Sequence, residues 1–420
     1  MVVRSLLALI IFFFVHGDES LNNFSIERFF NSYITHHSNR TLFGERKGVL
    51  CARKFAVATW TCDNGVGNRL NEFMNTYLGG VIMNRTVLWR YCKEGHWRED
   101  SPCEGHPSYC ASSMRMKAWM PEYFETRKLL SERGCPLEGV NELISMDERI
   151  HPYKKLACGL LLEGNLNSRA ISFGKLEQHE MFSIMLPGAR IENSSKLAVE
   201  TFRRMGSFAT YGALWRTAFA FNQSLLSAND ARLAGYDKPF IIGAHIRHID
   251  LHDPGIKDTG EEYCLEHIVK EHKWANPAHR DRQCIVAVAS DRPYTIERLF
   301  NFSRMLGCTP MSANDFKIAE DVKYDSEHGP FADPYAKLLD IEFLSRADYL
   351  IGEHSSTFTM LIDSRAALRI LLRSDETFTP SSIAERLHDH HQGCVPLYMH
   401  LGSKNEYNFS DPHFDWNREC

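Results

Sequence analysis

The second half of this chain alternates short apolar runs with stretches of helical periodicity. Runs at residues 240–246, 284–289, 348–352 and 368–372 have the length and composition of buried strands. Between them, helical patterns cover residues 261–273, 295–306 and 333–345, the last with Asp333 and Pro334 as its start signal. Strands that alternate with helices predict a parallel, doubly wound α/β sheet.

The first half contains one clear unit of the same kind. A strand is predicted at residues 55–61, a glycine-containing turn at 63–68, and then a helix. The helix is indicated by apolar residues that recur on one face, namely Leu70, Phe73, Met74, Tyr77, Leu78 and Val81. Strand, glycine turn and helix together are typical of the first unit of a nucleotide-binding layer. A second long helix is predicted over residues 195–222.

A length of 420 residues fits two domains of ordinary size. Polar, Asn- and His-containing sequence follows the N-terminal segment, and a linker-like stretch at 235–239 separates the halves. The predicted division is a signal peptide (1–17), a stem or irregular lead-in (18–50), an N-terminal α/β lobe (51–236), a C-terminal Rossmann-like lobe (237–375) and a C-terminal extension that packs back (376–420).

The N-terminus has the features of a targeting signal. Arg4 precedes an apolar run at residues 6–15, which is shorter than the roughly 20 residues that span a bilayer. A cleaved signal peptide is therefore favoured, with a short Golgi-type anchor as the alternative. Seven N-x-[ST] sequons and 12 cysteines, dense between Cys51 and Cys158, fit the lumen of the Golgi or ER, or secretion. In that compartment the cysteines would mostly form disulfides; buried free thiols are the alternative.

The charge pattern restricts the partners. The formal net charge is −5, and no run of Lys and Arg marks a surface for nucleic acid or anionic lipid. Nucleic acid is therefore excluded as a partner, and contact with a membrane is expected only through an uncleaved N-terminal segment. A small ligand with two phosphates remains compatible, because one or two placed arginines can bind it.

Polar residues follow the predicted strands, at the edge where α/β sheets bind ligands. Arg247 follows the first strand, Asp291 the second, and Ser355 and Ser356 the third. The fork of Arg247 suits a pyrophosphate, although a surface ion pair is the alternative. Serine hydroxyls and free N–H groups at a helix start form an anion site, although helix capping alone would also explain the serines.

Two further groups of residues extend this candidate site. Gly65 and Gly67 allow close approach of the backbone to a ligand, and the polar Asn68 and Arg69 follow them. Asp340 lies among apolar positions of a predicted helix, where it faces either solvent or the ligand crevice.

The chain contains no Asp-x-Asp pair of the kind that holds a divalent cation on a diphosphate. A metal-independent mechanism without a cofactor is therefore expected, and the polar stretch at residues 388–391 is interpreted as exposed rather than as a metal site.

Three stretches of the second half resemble the GDP-fucose-dependent fucosyltransferase superfamily, most closely the α-1,6-fucosyltransferases and nodulation enzymes, with the protein O-fucosyltransferases as further relatives. They are the His-Ile-Arg-His-Ile-Asp segment at 245–250 with Glu-Glu-Tyr at 261–263, Ala-Ser-Asp at 289–291, and the segment 339–350 followed by Ser355 and Ser356. The turn at 65–69 is similar to the donor loop of the wider superfamily. The resemblance implies a GT-B-like fold of two lobes with Rossmann-like parallel sheets, in which residues 51–236 form the lobe on the acceptor side and residues 237–375 the lobe that binds the donor.

The resemblance also implies roles for single residues. Arg247 would bind the diphosphate of GDP-fucose, Ser355 would bond to a phosphate, and His245 and Asp340 would bind the guanine. Transfer would invert the anomeric carbon and need no metal.

The sequence also departs from the family pattern. A second arginine of the family segment is His248 here, a lysine is Leu251, and the general base has no clear counterpart. Asp253 is the candidate for that role.

Three hypotheses follow from the sequence. The first is transfer of fucose to a glycan hydroxyl, and the second is transfer to a Ser or Thr side chain of a protein. The third is a catalytically silent secreted protein that uses the fold for binding.

Overall fold

The structure is a computed structural model. It describes residues 54–60, 66–83, 85–91, 130–131, 141–142, 170–172, 210–215, 217–246, 260–290, 292–312, 335–352 and 356–372. Within these ranges, no helix combines the length and the apolar character that a membrane span requires. The predicted signal peptide, the lead-in and the C-terminal extension lie outside the described residues.

A five-stranded parallel sheet is formed by the first half of the chain, in the order β3-β2-β1-β5-β4. Its elements are β1 (Phe55–Trp60), helix α1 (Val66–Ile82), β2 (Thr86–Tyr91), β3 (Leu130–Ser131), β4 (Asn141–Glu142) and β5 (Ala170–Ser172). Helix α1 returns the chain from β1 to the neighbouring β2 and packs against both strands, which is the predicted strand–turn–helix unit.

The second sheet has four parallel strands in the order β8-β7-β6-β9. Its strands are β6 (Phe240–Ile246), β7 (Cys284–Ser290), β8 (Thr309–Met311) and β9 (Tyr349–Gly352). The helices of this half are α2 (Gln223–Leu233), α3 (Glu261–His267) with a π-helical continuation (Ile268–Trp274), α4 (Pro277–Arg280), α5 (Pro293–Met305), α6 (Tyr335–Leu344) and α7 (Thr357–Leu372).

Both faces of β6 are covered, which explains why its sequence is an unbroken apolar run. Ile242, Ala244 and Ile246 belong to a buried cluster that includes residues of α3 and α5. On the opposite face, a Cβ added to Gly243 would lie 2.9 Å from Leu350 and 3.2 Å from Leu344 at the end of α6. The sheet is therefore doubly wound, as the sequence predicts. The arrangement of the chain as two GT-B lobes stays a prediction.

The predicted strand at residues 368–372 is wrong. These residues form the last turns of α7, which runs from Thr357 to Leu372. A short apolar run has the same appearance in a buried strand and in a buried helix, because periodicity needs a longer window to show. The fourth strand is instead β8, which contains Pro310 at the edge of the sheet.

Two other boundaries differ from the sequence predictions. Helix α1 begins at Val66, so Gly67, Asn68 and Arg69 lie in its first turn rather than in the turn before it. Asn222 is not the last residue of a helix, as the predicted helix 195–222 requires. Asn222 is the N-cap of α2, and its side chain accepts a hydrogen bond from the backbone N–H of Leu225.

Among the described cysteines, Cys284 and Cys308 form a disulfide that joins the start of β7 to the residue before β8. Cys264 is a buried cysteine outside this disulfide, in the same core cluster. One disulfide is thus present, as the sequence predicts, whereas the dense group of cysteines between residues 51 and 158 lies outside the described residues.

Candidate functional site

The second sheet has a topological switch point between β6 and β9. From β6 the chain proceeds to β7 and β8 on one side, and then crosses over to place β9 on the other side. His245 near the end of β6 pairs in register with Gly352 at the end of β9. Open α/β sheets bind ligands outside the carboxyl ends of their strands at such a switch point.

His245 lies at this switch point with its imidazole directed toward α7. The side chain is buried, and its Nδ1 lies 2.8 Å from the hydroxyl oxygen of Thr359. The ring also stacks on Phe358, with 4.7 Å between centroids and an interplanar angle of 27°. His245 therefore fixes the first turn of α7 against the end of β6. No local sequence signal marks Phe358 or Thr359, because the contact between His245 and Thr359 joins residues 114 positions apart.

Ser356 occupies the position immediately before α7. Its carbonyl oxygen accepts the N–H of Met360 at 3.1 Å, as at a helix start. Its hydroxyl is buried and has no hydrogen-bond partner in the described part of the chain, so the side-chain cap that would explain this serine structurally is not formed. A buried hydroxyl that makes no hydrogen bond within the described residues, at the N-terminus of a helix, fits an anion site.

Gly67 connects the first half of the chain to the same point. A Cβ at Gly67 would lie 3.1 Å from Oγ1 of Thr357 and 3.2 Å from the backbone nitrogen of Phe358. Glycine thus permits a close approach between the first turn of α1 and the first turn of α7. The sequence predicts that the backbone at this glycine lies close to a ligand. Within the described residues, it lies close to the backbone of α7 instead.

Asp340 lies in the middle of α6, which packs on β6 and β7. Its side chain is half-buried, whereas the neighbouring Leu339 and Ile341 are buried. Asp340 is therefore on the sheet-packing helix, and its predicted contact with a nucleotide base stays a prediction.

The structure brings three of the predicted site residues together at the start of α7, namely Gly67, His245 and Ser356. The backbone of Asn68 and Arg69 belongs to the first turn of α1. The other predicted residues lie outside the described residues, namely Gly65, Arg247, Asp253, Asp291 and Ser355.

The comparisons with known proteins are of low similarity. No protein-family model matches the chain, and no curated protein is significantly similar to it. Among solved structures, a mutant of Arabidopsis thaliana FUT1 in complex with GDP has a TM-score of 0.47 at 13% identity, covering 81% of this chain and 76% of that one.

Two other solved structures are similar at the same level. NodZ, a fucosyltransferase from Bradyrhizobium, has a TM-score of 0.41 at 14% identity, covering 74% of this chain and 92% of that one. POFUT1 in complex with GDP-fucose has a TM-score of 0.36 at 12% identity, covering 74% and 94%. All three scores lie below 0.5, a level at which likeness to a solved structure carries no argument about function.

Proposed function

We propose that this protein is a fucosyltransferase that transfers fucose from GDP-fucose to a glycan hydroxyl, with inversion at the anomeric carbon and without a metal ion. The observation that carries the proposal is the switch point between β6 and β9. There the start of α7, the first turn of α1 and His245 meet. A helix N-terminus at such a point suits the diphosphate of a nucleotide sugar.

The chemistry of the transfer can be assigned to residues of the chain. The bond between the anomeric carbon and the β-phosphate oxygen breaks, and the acceptor oxygen forms the new bond from the opposite face. Negative charge develops on the departing GDP, and N–H groups of α7 together with the guanidinium of Arg247 stabilise it. Asp253 takes the proton of the acceptor hydroxyl as general base.

Metal independence is expected from the residues that are available to bind the diphosphate. The sequence has no Asp-x-Asp pair to bridge a cation to the diphosphate, and Arg247 with a helix N-terminus supplies positive charge in its place. Turnover in the presence of EDTA is therefore expected to equal turnover in added Mg²⁺ or Mn²⁺. Loss of activity in EDTA that returns with a cation would contradict this part of the proposal.

The decisive experiment is incubation of the purified protein with labelled GDP-fucose and a panel of glycan and peptide acceptors. Transfer to glycans with release of GDP is the expected result. Transfer to Ser or Thr of peptides alone would identify a protein O-fucosyltransferase. A protein that neither releases GDP from any sugar nucleotide nor is stabilised by GDP would be the silent binding protein.

An arginine pair provides the matched variants for this assay. Arg247→Ala is expected to abolish both turnover and stabilisation by GDP. Arg280→Ala removes an exposed arginine of α4 that lies before β7, at the opposite edge of the sheet. Arg280→Ala should keep both properties, so a loss in both variants would indicate a nonspecific effect of charge.

The proposed cellular setting is the lumen of the Golgi or ER, or the secreted state, as inferred from the N-terminal segment and the sequons. Expression of the tagged full chain followed by digestion with an N-glycosidase tests it. A shift in mobility is expected, and a chain of unshifted mass confined to the cytosol would contradict the proposal.

A further inference from the structure

A buried carboxylate at the end of α6 is held between two arginines. Glu342 is fully buried, and its Oε1 accepts hydrogen bonds from Arg346 Nε at 3.1 Å and Nη2 at 2.9 Å. Its other oxygen, Oε2, accepts from the guanidinium of Arg365 on α7. Arg346 also bonds to Asp230 of α2 at 2.6 Å. These two carboxylates and two guanidinium groups, whose charges sum to zero, thus link α2, α6 and α7.

Arg365 has a second set of contacts on an aromatic segment, defined as residues 210–215 and 217–221. Its guanidinium lies 5.4 Å from the ring centroid of Trp215 and 4.4 Å from that of Phe221. The indole Nε1 of Trp215 donates to the hydroxyl of Ser364, the neighbour of Arg365, at 2.9 Å. Burial lowers the pKa of Arg365, and the charge of Glu342 opposes that shift.

The aromatic segment also contacts α1. The hydroxyl of Tyr211 donates to the side-chain oxygen of Asn75, and the ring of Phe219 packs edge-on against Phe73 with centroids 5.0 Å apart. One connected cluster therefore holds α1, which begins near Gly67, and α7, whose first turn meets that glycine. Arg365 is the residue that joins this cluster to Glu342.

We propose that Arg365 is a positioning residue for the donor site, an inference that rests on the proposed function. It lies eight residues after the first residue of α7, which is about 12 Å along the helix axis, so it acts without touching the donor. The edge of its guanidinium binds Glu342, and its flat face stacks on two aromatic rings. These two contacts set the rotation of α7 about its axis and its position along that axis. The first turn of α7 is thereby held against α1 in the arrangement that receives the diphosphate.

Stability alone does not account for this arrangement. A buried ion pair costs desolvation that its attraction only partly offsets, and apolar side chains of similar volume often serve as well. A planar, stacked guanidinium that presents two nitrogens to one carboxylate oxygen adds directional restraint, which lysine lacks. A restraint of orientation matters where two helix ends must stay within fractions of an ångström of a shared ligand.

The test compares two ion pairs in each of which an arginine bonds a carboxylate and lies over an aromatic ring. The double variant Glu342→Gln/Arg365→Met removes both charges and leaves no orphan charge in the core. The matched control is Arg282→Met/Asp348→Asn, since Arg282 bonds Asp348 at 2.8 Å and lies over the ring of Phe240 at 5.5 Å. The control pair lies at the amino ends of β7 and β9, away from the carboxyl ends where the donor site is proposed.

At a temperature where both double variants are folded, GDP binding is measured by calorimetry and transfer by steady-state kinetics. The Glu342/Arg365 variant is expected to raise the Kd for GDP and the KM for GDP-fucose about tenfold, with the KM for the acceptor unchanged. The control should stay within about twofold of wild type in all three constants. Arg365→Lys, which keeps the charge, should resemble the double variant because it lacks the fork.

Each other outcome overturns the inference in a recognisable way. Wild-type donor constants in the Glu342/Arg365 variant, or equal changes in both pairs, would leave Arg365 a purely structural residue. Wild-type constants in Arg365→Lys would show that charge and not orientation matters, and would also overturn it. A wild-type protein that does not bind GDP would refute the proposed function itself, so the two failures are distinguishable.

Discussion

Substituting Gly67 by alanine tests whether the start of α7 is the diphosphate site. The added methyl group would lie 3.1 Å from Oγ1 of Thr357 and 3.2 Å from the nitrogen of Phe358, where ordinary contacts begin at 3.4 Å. Because one of these atoms belongs to the backbone, the first turn of α7 must move away by about 0.2–0.3 Å.

Two effects on stability oppose each other in Gly67→Ala. Alanine is favoured over glycine inside a helix by about 1 kcal/mol, and Gly67 lies in the first turn of α1. Overpacking costs about 1–3 kcal/mol. The expected net change is a loss of about 0–2 kcal/mol in the free energy of unfolding, which leaves the protein folded at 25 °C.

Gly67→Ala is also expected to weaken the binding of GDP. A hydrogen bond to a charged group contributes about 1.5–3 kcal/mol, and the displaced turn would lose about half of one such bond. GDP affinity should therefore fall about tenfold. Calorimetric titration with GDP measures the affinity, and thermal unfolding without ligand measures the stability.

A second glycine supplies the control for this experiment. Gly235 has no heavy atom within 4 Å of its would-be Cβ and has no left-handed φ. Gly235→Ala should therefore gain about 0.4–1 kcal/mol of stability by restricting the unfolded chain, and it should bind GDP as wild type does. Wild-type GDP affinity in Gly67→Ala would refute the placement of the diphosphate at the start of α7.

Three further substitutions test other parts of the structure. Ser356→Ala should leave the melting temperature unchanged or raise it, because its hydroxyl makes no bond within the described residues, while calorimetry shows weaker GDP binding; a marked fall in melting temperature would contradict this. Replacing Cys284 and Cys308 by alanine opens a loop of 24 residues and should cost about 3 kcal/mol in denaturant unfolding; an unchanged midpoint would indicate that the disulfide does not form. Gly243→Ala places a methyl group 2.9 Å from Leu350 and should cost about 1–3 kcal/mol, without a change in GDP affinity; a neutral effect would show that the core relaxes around it.

The sequence predicts the elements of the second sheet because their signals are local. The apolar runs at 240–246 and 284–289 agree with β6 and β7 within one residue. Pro334 marks the start of α6, which begins one residue later. Strand β8 is missed because three residues with a proline, Thr309–Met311, carry no periodicity. The strand predicted at 368–372 fails for the related reason that five apolar residues do not distinguish a strand from the end of a helix.

The candidate site is predicted in part by the same local signals. Polar residues after the strands predict a ligand site at this edge of the sheet, and His245 and Ser356 both lie at the start of α7 in the structure. The side-chain partners of these residues are not predictable from local signals. Nothing in the sequence marks Thr359 as the partner of His245, or Arg365 as the partner of Glu342, because both pairs form only when distant elements pack.

By itself, the sequence determines that this chain forms parallel α/β layers and where the polar edge of the second sheet lies, because strand length, helical periodicity and proline act over a few residues. Tertiary structure decides that α1 starts at Val66 and that its glycine meets the start of α7. It also decides that a buried carboxylate joins an arginine in the turn after α6 to an arginine of α7. Such contacts depend on the distances between packed elements, and local sequence patterns do not encode those distances.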